Sequence, residues 1–190
     1  LLDKKRLPSP EALRHLLMGR RSIRTYKKDP ISMEILTDLL NVARYAPTGS
    51  NKQQVHWTDF ENPEDGRKLA ALVIDWTKQT IPEVPDEALA KRMSRLTAAW
   101  DRGEDRILRG APHVIVAHAQ MDLPSAQADC VTALAYLELY AASLGLGTCW
   151  AGYLTTAAAF HAPLMAALNL PEGHLCFGAV MAGYPKFRYQ

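Results

Sequence analysis

The chain is predicted to fold as an α+β domain, on three observations. Helical repeats open at recognisable cap residues, two short apolar runs, the first rich in β-branched side chains, read as buried strands, and one long segment is apolar on almost every helical face. At 190 residues, with 48% hydrophobic and 22% charged side chains, residues 1–190 suit one domain with a sizeable core.

The elements follow in order. Ser9-Pro10-Glu11 starts a helix, because a serine oxygen can accept from the first free amides and proline fits the first turn; Leu13, Leu16 and Leu17 then share a face, and Gly19 ends it. Ser32 opens a second helix with Ile35, Leu36, Leu39, Leu40 and Ala43 at helical spacing, and its end delivers the chain to the Ala46-Pro47 turn. Val55 to Phe60 reads as a strand. Asn62-Pro63-Glu64 begins a helix with Leu69, Leu72, Val73 and Trp76 inward, and Asp86 caps a more polar one through Leu96. Pro82-Glu83-Val84-Pro85 is the most loop-like stretch. His113–Ala119 and Leu175–Ala182 are the two apolar strands. Between them Ser125 starts a helix carrying Val131, Leu134, Ala135, Leu137, Leu139, Ala142 and Leu144. So little polar surface demands burial on several sides, in the domain centre or between subunits, and Gly145 is its stop.

Composition excludes several function classes. A formal charge of +2 is too mild for a nucleic-acid-binding surface, and no apolar run reaches the roughly 18 residues that span a bilayer. No charged-then-apolar leader opens the chain. Cys130, Cys149 and Cys176 contain no CxxC pair, which argues against a disulfide framework or a metal cluster and for reduced thiols in the cytoplasm. The six histidines lack HExxH-type spacing, so each reads as a core or surface polar group and no metal is expected. No Ser, His and Asp arrangement supports hydrolysis.

The chemistry points instead to a bound phosphate. Arg20, Arg21, Ser22, Ile23, Arg24, Thr25, Tyr26 places three permanent guanidinium charges and a hydroxyl just beyond a helix end, and guanidinium offers paired donors to phosphate oxygens. If this segment is extended, alternation sends Arg20, Ser22 and Arg24 the same way. Ala46-Pro47-Thr48-Gly49-Ser50-Asn51-Lys52-Gln53 combines a fixed φ, a permissive glycine and small polar side chains, suiting close backbone approach to a flat ligand. Gly145-Leu146-Gly147-Thr148-Cys149-Trp150-Ala151-Gly152-Tyr153 is glycine-rich but follows a helix and lacks a further glycine, so it is not a dinucleotide fingerprint. Tyr184-Pro185-Lys186-Phe187-Arg188 returns basic residues at the far end.

These segments, in this order over nearly the whole chain, resemble the FMN-dependent nitroreductase family, in particular the nitroreductase domain that often follows a ferredoxin-like iron-sulfur module. That module is not in this sequence, and a chain without an initiator Met is compatible with a longer polypeptide and with an iron-sulfur electron donor. The resemblance implies a nitroreductase-like three-layer α/β/α sandwich with a central, mostly antiparallel sheet, assembled as a homodimer with two sites at the interface. It implies FMN held by Arg20, Arg21, Ser22 and Arg24, with Lys186 and Arg188 returning to the phosphate. Pro47, Thr48, Gly49, Asn51 and Gln53 would reach the neighbouring subunit's flavin, and Trp150, Ala151 and Gly152 would lie along the ring and donate to N5. Gln54 stands where the family often has proline, which bears on the path of the loop.

The implied activity is transfer of hydride or an electron pair from NAD(P)H through flavin N5 to a small aromatic or quinone-like acceptor, in a ping-pong cycle with no catalytic side chain of its own. Five cations around one anion further predict a cofactor-free form markedly less stable than the loaded one. A flavin-binding module without turnover, serving as a sensor or accepting electrons from a redox protein, is the alternative. A polyanion-binding helical domain using Arg20 to Lys28 would instead give colourless protein.

Overall fold

The computed structural model describes residues 3–187. Helix α1 (Pro10–Gly19) begins where Ser9 accepts from the Ala12 amide at 3.1 Å. No residue of α1 is buried within the single chain, and its predicted apolar stripe faces outward, with Leu13 44% and Leu17 49% exposed. Helix α2 (Met33–Ala43) is capped by Ser32 and buries Leu36, Leu39 and Ala43. Strand β1 (His56–Phe60) follows, then α3 (Pro63–Thr80), capped by Asn62, and α4 (Glu87–Asp101), capped by Asp86 and continuing past Leu96. Strand β2 (His113–Gln120), helix α5 (Ala126–Ser143), strand β3 (Gly147–Trp150), helices α6 (Gly152–Phe160) and α7 (Ala162–Leu168), and strand β4 (His174–Gly183) complete the described α-helices and strands.

The sheet order is β1-β2-β4-β3, antiparallel throughout. Period-two alternation sends Val114, Val116, Ala179 and Met181 to one face, packed with buried residues of α3, α4, α6 and α7. Ile115, Ala117, Val180 and Ala182 face the other way, against α2 and α5. Helices therefore cover both faces of an antiparallel sheet, giving the three expected layers.

Two findings modify the reading of α5. Its inner face is buried through Cys130, Leu134, Leu137 and Ala141, but Val131 and Tyr136 stay 39% and 41% exposed, so one chain alone does not cover it on all sides. Asp129 and Glu138 are buried on its apolar face, at 8% and 6% exposure.

The histidines fold into structural roles. His113, wholly buried, accepts the Ile31 amide at Nε2 (2.9 Å), which leaves Nδ1 to donate to Asp59 at 2.9 Å and ties the segment before α2 to the sheet. At the other end of the sheet a bulge after Ala117 offsets the ladder, and His118 meets His174 Nδ1 to Nδ1 at 2.8 Å with His56 packed against both rings. Among the described residues no group of His, Cys, Asp or Glu has metal-binding geometry, and no helix is long and apolar enough to cross a membrane.

Candidate active site

The cationic segment forms an arm stitched along two elements. Arg20 closes α1, its amide donating to Leu16 at 3.1 Å, and the chain then runs extended. Ser22 bridges Thr148 of β3, with the Ile23 amide donating to the Thr148 carbonyl at 2.8 Å. Tyr26 bridges Pro185, and the Lys27 and Lys186 amides donate to Tyr184 and Thr25 at 2.8 and 3.0 Å. Ile23 and Tyr26 point inward and are buried; the Tyr26 hydroxyl donates to the Ile23 carbonyl, and burial pushes its phenol pKa upward. The approach to β3 is close enough to require glycine, since a Cβ on Gly147 would lie 2.7 Å from the Ile23 side chain.

A carboxylate absent from the sequence prediction organises this end. Glu138, reaching from α5, accepts the Thr148 hydroxyl at 3.0 Å and the Trp150 indole N–H at 2.6 Å, and lies 3.9 Å from the Arg20 guanidinium. It fixes the start of the glycine-rich segment and offsets one arm charge without any ligand. The cation repulsion expected from counting charges is reduced accordingly.

Two cavities meet the arm. A groove of about 570 Å³ is lined by Arg20, Arg21, Ile23, Thr148, Pro185 and Phe187. A second cavity, about 650 Å³, begins at Arg24 and runs past Trp150, Gly152 and Tyr153 to α3 and α4. Of the three residues that alternation would send the same way, Arg20 and Arg24 line different cavities. Arg20 lines the groove and approaches Glu138, whereas Arg24 lines the larger cavity.

Trp150, Ala151 and Gly152 cross from β3 into α6. Ala151 is fixed by its amide donating to Ala179 at 2.8 Å, and no side chain caps the amides of the first α6 turn. Gly152 is exposed with nothing near where a Cβ would sit, so a planar ligand has access to this backbone. A sequence reading that saw only a glycine-rich segment here missed β3, α6 and α7. Four strand residues followed by alanine-rich, uncharged helices give almost no periodic contrast.

The second predicted loop lies at the opposite end of α5. Pro47 is exposed, and Thr48 precedes a single turn, Gly49–Asn51. Ser50, Asn51 and Gln53 hold left-handed φ values of 52°, 53° and 53°. Asp129 anchors them by accepting the Gly49 amide at 3.0 Å and the Ser125 hydroxyl at 2.9 Å, while Thr48 Oγ1 accepts the Gln53 amide at 3.0 Å. A Cβ on Gly49 would stand 2.7 Å from Ser125 Cβ.

Within one chain the structure gathers the arm, Trp150–Gly152 and Lys186, whose exposed ammonium lies over Phe187. It leaves Pro47, Thr48, Gly49, Asn51 and Gln53 apart from them. Thr48 and Gln53 line a different cavity, of about 310 Å³, beside Trp57. Arg188 lies outside the described residues.

The sequence signal for Asp129 and Glu138 was present: two acids at buried stripe positions of an otherwise apolar helix. Arg92, Arg106 and Arg109, which also line the large cavity, had no sequence signal. Cys149 is buried in that cavity wall, its thiol near the Trp150 carbonyl. Burial pushes the Cys130 and Cys176 thiols up to about 12 and about 11.

The residues fit a phosphate-bearing planar cofactor. Arginines of the arm line both cavities, the first amides of α6 lack a side-chain cap beside exposed Gly152, and aromatic side chains, Trp150, Tyr153 and Phe187, adjoin them. Comparison with known proteins defines the class. The model of the nitroreductase family matches residues 17–184, and the chain belongs to that family. A relative from Archaeoglobus fulgidus, named provisionally as an NADH dehydrogenase/NAD(P)H nitroreductase, is 28% identical over 90% of this chain and 84% of its own length. The fold is also that of two nitroreductases solved with bound FMN. The Bacteroides fragilis protein has a TM-score of 0.72 at 24% identity, covering 94% of this chain and 91% of its own. The Desulfitobacterium hafniense protein has a TM-score of 0.74 at 24% identity, covering 93% and 90%.

Proposed function

We propose that this chain is an FMN-dependent oxidoreductase that carries electrons from NAD(P)H to a small nitroaromatic or quinone-like acceptor, with its sites between two copies. The observation that carries this reading is the stitching of the arginine arm beside Trp150–Gly152, which sets Arg24 and the uncapped α6 amides at one cavity and Arg20 and Arg21 in the groove that also meets the arm. FMN, when bound, supplies the two-electron chemistry.

The chain's own residues hold and orient it. Arg20, Arg21 and Arg24, with Lys186 and Arg188, serve the phosphate and the polar chain, and Arg20 exchanges its long contact with Glu138 for the ligand. Amides of the first α6 turn, which no side chain caps, would be the donors available to the ring and would favour negative charge there. Glu138 keeps Trp150 in place beside it.

Two features support the dimer. The apolar stripe of α1 and the Val131–Tyr136 face of α5 are exposed in one chain, and such surface favours a second protein face over water. The 47–53 loop, far from the arm within its own chain, would complete the partner's site. Under anaerobic conditions NAD(P)H should bleach the flavin-loaded protein and an added quinone should restore the colour; a loaded protein inert to NAD(P)H is instead a flavin module without turnover. Parallel double-reciprocal lines are expected from a shared site, and intersecting lines contradict the alternating cycle.

A further inference from the structure

The large cavity carries a charge pattern that holding a flavin does not require. Arg24, Arg92, Arg106 and Arg109 line it, with no Asp, Glu, Lys or His in its wall. Two of the three threonines at the same wall are occupied: Thr77 and Thr80 donate to the Val73 and Trp76 carbonyls at 2.7 and 2.9 Å. Arg106 pairs with Glu104 at 2.7 Å, but among the described residues no acidic side chain lies within 4.0 Å of Arg92 or Arg109. Ring-sized apolar walls, Trp76 and Tyr153, stand in the same cavity.

The backbone is shaped to present these groups. Asp105 gathers the amides of Ile107, Leu108 and Gly110 at 2.8, 2.9 and 3.0 Å, folding a tight turn in which Arg109 takes a left-handed φ of 60°. A long, branched-headed side chain held in that conformation is uncommon away from functional positions. Arg92 reaches the cavity from α4 beside Leu89, Met93 and Leu96. Cations on a partly apolar wall repel one another until an anion arrives, and guanidinium pairs with carboxylate through two parallel hydrogen bonds.

We propose that Arg92 and Arg109 select an acceptor bearing a carboxylate or similar anionic group on an aromatic ring, with the ring against Trp76 and Tyr153. This rests on the oxidoreductase reading above, and Arg24 is left to the cofactor. For a nitroaromatic the balanced reaction is ArNO2 + NAD(P)H + H+ → ArNO + NAD(P)+ + H2O, in which the anionic group is a spectator that positions the ring.

The test uses FMN-loaded protein with 4-nitrobenzoate and its methyl ester, compared by calorimetric Kd and by kcat/KM. The carboxylate should be favoured by about tenfold or more, and Arg92→Gln or Arg109→Gln should each bring that ratio toward unity. Equal handling of acid and ester by the parent protein overturns the proposal, as does a variant that lowers both equally. A variant that shifts the KM for NADPH relative to NADH while leaving the acid-to-ester ratio intact also overturns it, assigning these arginines to the donor's phosphates. Reduction of both compounds without preference defeats this inference alone. A protein that NAD(P)H does not bleach defeats the oxidoreductase reading, and the Kd ratio still decides whether the cavity selects anions.

Discussion

Asp129 and Glu138 lie on the same helix, roughly 13 Å apart along its axis, and are buried to nearly the same degree, yet they hold different things. Asp129 is satisfied by neutral donors at ordinary distance, the Gly49 amide and the Ser125 hydroxyl, and so locks a loop whose residues need left-handed backbone. Glu138 takes two neutral donors as well, but its cation, Arg20, stands off at 3.9 Å with a third of its side chain exposed. A carboxylate fully served by its neighbours fixes structure. One loosely paired with a partly exposed guanidinium leaves that guanidinium ready for a stronger anion.

Truncating each anchor separates the two roles. Glu138→Ala should have the largest effect, about 3 kcal/mol in denaturant unfolding, because it strands the Thr148 hydroxyl and Trp150 indole in a buried site. Glu138→Gln should recover most of that loss, since an amide can serve both groups, while releasing Arg20 and tightening FMN binding. Asp129→Ala should cost about 2 kcal/mol and speed hydrogen exchange at Gly49 without altering exchange along the arm. Gly49→Ala, which keeps the carboxylate but pushes Ser125 away, should cost about 1 kcal/mol by the same unfolding measurement.

The smallest expected effect uses neither carboxylate. Burial, with His174 and His56 nearby, lowers His118 to about 4 from an ordinary 6.5. The unfolded chain then binds the proton more readily than the folded one. Stability should be complete above about pH 6.5 and decline as pH falls toward about 4, without further loss from this group below that. A melting series in His118→Asn should flatten that window; an unchanged slope would assign it to other groups.

The contrast between the anchors also explains how much could be read from sequence. Cap residues announced α1, α2, α3 and α4, and short apolar runs announced β2 and β4, because those signals are local. The arm was legible for the same reason: three arginines and a serine are conspicuous whatever they touch. Its anchor left a signal, an acid on an apolar helix, but not its partners, since Glu138 meets Thr148 and Trp150 only through tertiary packing. Arg92 and Arg109 come from a helix and a turn that no sequence spacing connects. The apolar character of α5 was correctly seen, but its consequence was not fully met within one chain, where Val131 and Tyr136 remain exposed. A face that a second copy would cover is one reason a helix can be apolar beyond the needs of its own core.

The central claim is that the arm and the start of α6 together hold FMN. Its most direct test is to load the purified protein with FMN, remove free flavin by gel filtration, and record the visible spectrum beside that of Arg24→Ala. The account predicts about one flavin retained per chain, and markedly less in the variant. Flavin that elutes free from the parent protein, or that is retained equally when Arg24 is removed, would contradict it.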